Sequence, residues 1–258
     1  MERPRSGAGD PARTLALLRR DPAAARRRGP ARSLDLDAVV AAATALADEH
    51  GLEAVTMRAV AEAVGTAPMT LYTYVPGKAE LLDLMLDAAY AEMPRADTSG
   101  QSWRERATVV AEGNFALHRA HPWTVEVSTL RPPLGPGLIR KYEHELAAFE
   151  GLGLTDVQMD DCLTYLLSFV QAAARSTLEA DRARRDSTVD DAGWWAAAGP
   201  LLARALDPAA YPLASRVGTA AGTVHGSAHD PDHAYRFGLA RTLDGLAALI
   251  DPDPEPAA

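Results

Sequence analysis

The 258 residues predict an all-α fold, and three observations carry that expectation. Apolar residues recur at three- and four-residue spacing along most of the chain, which is the period of a helix face. No segment shows a confident alternation of apolar and polar residues, and there is no repeat of fixed period. Gly29–Pro30, Gly51 and Pro76–Gly77 punctuate the periodic segments, as helix stops do. With 47% hydrophobic residues there is ample material for a core, and the length allows one or two domains.

Taken in order, "DPARTLALLRRD" has Asp10 as a cap and Pro11 in the first turn, the start of a short helix. "AAARRRGPARS" then reads as a flexible linker. From Asp35 the apolar face runs through Val39, Ala43, Leu46 and Ala47 until Gly51 stops it. Thr56 caps a helix over 57–64, and a second helix occupies 67–74 after Gly65–Thr66. The segment 78–93 is amphipathic through Leu81, Leu82, Met85 and Ala89. Further helices are expected near 101–120, 122–130, 136–151, 155–184, 189–206 and 232–250. The stretch 207–230, rich in Gly, Ala, Ser and Pro, is the least regular, and 251–258 is a disordered tail.

Composition removes several function classes. Cys162 is the only cysteine, so neither an intrachain disulfide nor a cysteine zinc site can form. No apolar run approaches the ~18–20 residues of a membrane span, and "MERPRSGAGDPARTLALLRR" lacks the apolar core of a signal peptide. A soluble, cytoplasmic protein without a membrane partner is the expectation. The chain has no H-E-x-x-H and no G-x-S-x-G, and Tyr72 stands where a phosphate-binding loop ending in Gly77–Lys78 would need glycine. His225, His229 and His233 recur every four residues, but Gly226 and Pro231 break the helix that would align them. No catalytic residue, metal or cofactor is called for, so the protein is not expected to be an enzyme.

The formal charge is −9, yet residues 1–33 hold nine arginines against three acidic residues. A basic arm on an acidic body is a signature of nucleic-acid binding. Residues 57–75 carry the second sign. Ala61 is small where two helices must approach, Gly65 suits the positive φ of a tight turn, and Val60, Val64 and Leu71 make a small core. Tyr72 and Tyr74 lie two residues apart, and a helix cannot bury both rings on one face. This is the helix-turn-helix pattern, in which the second helix offers its side chains to the major groove.

The segment "LDLDAVVAAATALADEHGLEAVTMRAVAEAVGTAPMTLYTYVPGKAELLDLMLDA" resembles the DNA-binding domain of the TetR family of transcriptional repressors over about 34–88. The resemblance implies a three-helix DNA-binding domain over 34–80 and a helical ligand-binding and dimerisation domain over 81–250; the charge pattern makes 1–33, ahead of them, a basic flexible arm. It implies a homodimer on a palindromic duplex operator, released by a small-molecule inducer whose identity the sequence does not give. Carried over by position, Thr56 and Arg58 open the first helix of the motif as phosphate and base contacts. Met69, Thr70, Tyr72 and Tyr74 fall on the recognition helix, and Lys78 is a phosphate contact. Thr and Tyr hydroxyls suit phosphate oxygens, and arginine can bond guanine through two hydrogen bonds.

One feature departs from a DNA-binding surface. Between 34 and 80 only Arg58 and Lys78 are basic, against Asp35, Asp37, Asp48, Glu49, Glu53, Glu62 and Glu80. Arg26, Arg27, Arg28 and Arg32 are therefore expected to supply DNA contacts from the arm, as arginines in a narrow minor groove do. For the ligand, Trp103, Trp123, Tyr165, Asn114, His118, Gln171 and Arg175 offer apolar walls with a few polar anchors. For the dimer, one stripe runs through Met159, Leu163, Leu166, Val170 and Ala173 or Ala174, and another through Phe237, Ala240, Leu243, Ala247 and Ile250. The competing reading is a helical small-molecule-binding or protein-interaction module that never touches DNA, and the acidity of 34–80 is what favours it.

Overall fold

The computed structural model describes residues 4–20 and 34–251, whose regular elements are helices apart from one parallel bridge between Arg5 and Ser128. The expectations for Arg26, Arg27, Arg28 and Arg32, and for 252–258, lie outside the described residues.

The first helix, α1 (Pro11–Leu18), begins as expected: the Asp10 carboxylate accepts the Arg13 amide at 2.8 Å. Residues 4–20 nevertheless depart from the flexible arm predicted for them. Leu17 and Leu18 are buried in the same apolar cluster as Val39, Val60 and Leu71. Upstream, the Ser6 hydroxyl donates to Asp83 at 2.5 Å and the Gly7 amide to the same carboxylate at 3.1 Å. Gly7 has φ +65°, and a Cβ there would meet Arg131 at 2.7 Å, so only glycine fits this close passage. Burying two leucines is worth roughly 1.5–3 kcal/mol each as an upper figure. That offsets part of the entropy of ordering the segment, and the Ser6 and Gly7 bonds to Asp83 add to it.

Helices α2 (Leu36–His50), α3 (Met57–Ala63) and α4 (Pro68–Tyr74) form the compact N-terminal unit. Asp35 caps α2, and Gly51, at φ +79°, ends it. Thr56 caps α3 through the Ala59 amide at 3.1 Å. The next helix, α5 (Lys78–Glu92), is buried almost all round instead of amphipathic. Its acidic groups have partners: Asp83 is held by Ser6 and Gly7, and Asp87 accepts the Leu138 amide at 2.8 Å. This helix therefore serves two cores, running from the recognition unit into the C-terminal body.

That body is α6 (Trp103–Ala120), α7 (Pro136–Leu146), α8 (Asp156–Asp186) and α11 (Pro231–Ile250), with α7 laid on α5. Full capping boxes open α6 (Ser102 with Glu105) and α8 (Thr155 with Gln158). Two expectations need correction. The helix predicted over 122–130 is only a 3-10 turn, Pro122–Val125, because Ser128 turns to bond the N-terminal segment, accepting from the Ser6 amide at 3.0 Å. The irregular stretch 207–230 contains α10 (Pro212–His225), paired with α9 (Asp191–Ala205). Gly222 permits that pairing, since a Cβ there would meet the Trp195 ring at 2.5 Å.

The stripes assigned to a dimer interface are largely the chain's own core. Leu163, Leu166, Val170, Leu243 and Ile250 are buried within one chain where α8 meets α6 and α11. Of the named residues, Phe237 and Ala240 are exposed. Apolar period shows that a helix has a covered face, not which partner covers it.

Candidate DNA interface and ligand cavity

The α3–turn–α4 unit is built as the pattern requires. Val60, Ala61 and Leu71 are fully buried between the two helices, Gly65 takes φ +67°, and the Thr66 amide donates to the Ala61 carbonyl at 2.9 Å. With that seam inward, the opposite side of α4 faces outward. Met69 is 76% and Tyr72 43% exposed, and Thr70 lies on the same open surface. Thr56 and Arg58 are exposed at the start of α3. The two tyrosines divide: Tyr72 stands out, whereas Tyr74 is half-buried and packs against the core.

Lys78 is exposed along its side chain, but its Nζ donates to the Leu52 carbonyl at 2.7 Å. Burial lowers its pKa from the ordinary lysine value, with Glu53 pulling the other way. One ammonium proton thus pins the loop ahead of α3, and two remain for an anion. On the acidic side of the unit, Arg20 pairs with Asp37.

A cavity of about 470 Å³ opens between α5, α6, α7, α8 and the 127–132 loop. Of the ligand candidates it brings together Asn114, His118 and Gln171. The others lie outside it, each for a packing reason. Trp103 is core and donates to Asp251 at 3.0 Å. Trp123 is 1% exposed and donates to Asp48 of α2 at 2.8 Å, a tie between the body and the N-terminal unit. Tyr165 is on the outer face of α8, and Arg175 donates to the Val125 carbonyl.

The sequence reading missed the strongest polar feature of the cavity. Lys141 and Glu145 of α7 are both buried and paired at 2.6 Å, and the Asn114 amide donates to the other Glu145 oxygen at 2.5 Å. Their i,i+4 spacing is visible in "KYEHE", but such pairs usually lie in solvent. Beside them His118 bonds Thr124 at 2.7 Å, and its pKa is depressed to about 4 by burial, then by Lys141.

The unfolded chain would protonate His118 near its ordinary 6.5, while the fold refuses that proton until about 4. Stability should therefore fall as pH drops from about 6.5 to about 4 and change little from this group outside that window. Urea midpoints at pH 7 and pH 5 check this: His118→Gln should lose less over the interval than the natural protein. An equal loss in both would place the pH sensitivity elsewhere.

Comparison with known proteins agrees with this architecture. Residues 39–85 match the family described as bacterial regulatory proteins, tetR family. Residues 95–250 match the tetracyclin repressor-like C-terminal domain. The chain is 42% identical over 247 residues to the HTH-type transcriptional repressor DrrR1 of Streptomyces coeruleorubidus, covering 95% of this chain and 88% of that one. Among solved structures it is similar to ActR of Streptomyces coelicolor in complex with actinorhodin. That likeness has a TM-score of 0.71 at 26% identity, over 86% of this chain and 99% of the other. A transcriptional regulator of the same organism, described as a TetR, gives 0.61 at 27% identity, over 84% and 100%.

Proposed function

Because the chain belongs to the tetR family of bacterial regulatory proteins, we propose that it represses transcription by binding a palindromic duplex operator as a homodimer and leaves it when a small molecule fills the cavity. The observation that carries this reading is the course of α5. Lys78, its first residue, braces the helix-turn-helix through Leu52, and Tyr90, near its other end, lines the cavity. A ligand that displaces Tyr90 therefore acts on one rigid element whose far end sets the position of α4. Recognition helices must stand about 34–36 Å apart to enter successive major grooves, so a small rotation is enough to lose the operator. Relatives act as repressors by name, and ActR has been seen with actinorhodin.

In this reading the division into 34–80 and 81–250 is functional, with α5 as the shared strut. Thr56, Thr70 and Lys78 hold phosphates, while Arg58, Met69 and Tyr72 meet base edges. Tyr74 supports α4 from behind. The arginines of 26–32 add phosphate contacts, no catalytic step is involved, and the protein works beside the chromosome in the cytoplasm. No described helix is long and apolar enough to cross a membrane.

A gel shift on the promoter beside its own gene, at moderate salt, tests the reading against a module that never binds DNA. On the same DNA, Lys78→Ala should weaken binding to operator and random sequence alike, because phosphate contacts carry no sequence information. Arg58→Ala should lose roughly 1–3 kcal/mol of operator preference. If Lys78→Ala alters preference and Arg58→Ala does not, the roles are reversed.

For the dimer, Leu166→Arg and Leu243→Arg would report on folding, since both side chains are internal. Phe237 of α11 is 57% exposed in the single chain. Phe237→Arg should leave the helical content intact and shift the sedimentation coefficient to that of a monomer, because an unpaired charge would be buried at the interface. A dimer of unchanged affinity would remove the outer face of α11 from the interface.

A further inference from the structure

The cavity has an internal logic of donors and acceptors that constrains its ligand. The Thr124 hydroxyl lies 2.7 Å from the His121 carbonyl oxygen, and two oxygens at that distance need a proton between them. Thr124 has only one hydroxyl proton, so it is spent there. The His118 Nδ1, 2.7 Å from the same hydroxyl oxygen, must then carry the proton of the second bond. His118 Nε2 is left as a bare acceptor, and no described residue donates to it.

Burial and the nearby Lys141 keep the ring neutral at physiological pH, so Nε2 stays unprotonated. Asn114 repeats the theme. Both of its amide protons are committed, to the Val110 carbonyl at 2.9 Å and to Glu145, so only its Oδ1 is open. Lys141 is the counterpart: one ammonium proton goes to Glu145, the Nζ lies 5.4 Å from the centre of the Tyr90 ring, and no described residue accepts a hydrogen bond from the other two protons.

We propose that the ligand of this cavity presents a hydroxyl as hydrogen-bond donor to His118 Nε2 and a second oxygen, carbonyl-like, as acceptor to Lys141. The inference rests on the reading of this cavity as the inducer site. Its volume, about 470 Å³, falls within the ordinary range for small-molecule sites. A ligand offering only acceptors leaves Nε2 facing a lone pair. One offering only hydrocarbon leaves the Lys141 protons unpaired in a site sheltered from water, where unmade hydrogen bonds cost most.

The probes are 6-hydroxyflavone and 6-methoxyflavone, which share the ring system and the carbonyl but differ in the donor. Calorimetric titration of the full chain, without DNA, should give the hydroxy compound about a tenfold or greater advantage. His118→Phe should erase that advantage. Thr124→Val, close to isosteric, removes the acceptor that holds the proton on Nδ1, and should narrow the advantage while leaving the fold intact. Equal affinities for the two probes, a preference that survives both substitutions, or no binding of either probe would overturn the proposal. A failure of the proposed regulatory role would look different. In that case the hydroxyl preference would be found, but no DNA would be bound or released in the gel shift.

Discussion

Replacing Arg26, Arg27, Arg28 and Arg32 together with glutamine should flatten the slope of log affinity against log salt by about 3–4 units for the dimer. Each phosphate neutralised by an arginine contributes about −0.9 to that slope, so the figure corresponds to roughly half of the eight side chains being engaged. Between 50 and 200 mM salt this amounts to about a hundredfold difference in relative affinity. The reason to expect so much from an arm is the charge of what it serves. The unit that presents α4 holds Arg58 and Lys78 against seven acidic residues. One of those cations is partly committed to Leu52, while Arg20 is already paired with Asp37. Operator preference should largely survive, since α4 is untouched, with some loss if an arginine enters a narrow minor groove. Substitution is the right instrument, not truncation. Removing residues 1–32 would also strip Leu17, Leu18 and the Ser6–Asp83 bond from the body. Fluorescence anisotropy across a salt series reads the result. Parallel slopes would mean that the arginines do not meet phosphate and that the acidic unit is compensated by other groups.

The second large effect is expected at the buried ion pair. Glu145→Leu leaves the Lys141 ammonium without its partner in a site where it is 8% exposed, and takes away an acceptor from Asn114. Removing one member of such a pair costs about 3–5 kcal/mol. The double variant Lys141→Met with Glu145→Leu should recover most of that, because two apolar side chains of similar volume replace a desolvated pair at little net cost. Urea denaturation of the three proteins makes the comparison. A loss below about 1 kcal/mol in the single variant would show that water reaches the pair, as it does at surface ion pairs. The double variant also separates stability from recognition: it should fold well and bind 6-hydroxyflavone poorly.

Much of the DNA-reading unit was legible because its signals are local. Thr56 as a cap, Gly65 at positive φ, Ala61 at the close approach and Leu71 in the seam are each dictated within about ten residues of chain. The exposure of Tyr72 and the inward turn of Tyr74 follow from the same seam, since a rigid helix can turn only one of them outward. Family resemblance then identified the motif. The cavity was legible only in part. Asn114, His118 and Gln171 were found as polar residues on helices, whereas Lys141 and Glu145 were not, because an i,i+4 pair looks the same whether α7 lies in water or on α5. Trp103 and Trp123 misled for the converse reason: a large aromatic ring fills a core as readily as it lines a pocket.

By itself the sequence determined the helical class, the order of most elements (not the short turn Pro122–Val125 nor the helix Pro212–His225), the helix-turn-helix and the concentration of arginine ahead of it. These depend on period, caps and composition, which act between near neighbours. Tertiary structure alone decided what covers each apolar face. It made the stripe of Leu163, Leu166 and Val170 an internal core, brought Leu17 and Leu18 into the body, buried α5 on nearly every side and closed a polar site around His118. Burial and desolvation are properties of surroundings assembled from distant segments, and the strength of a charge or an unpaired acceptor is set by those surroundings, not by the residues beside it in the chain.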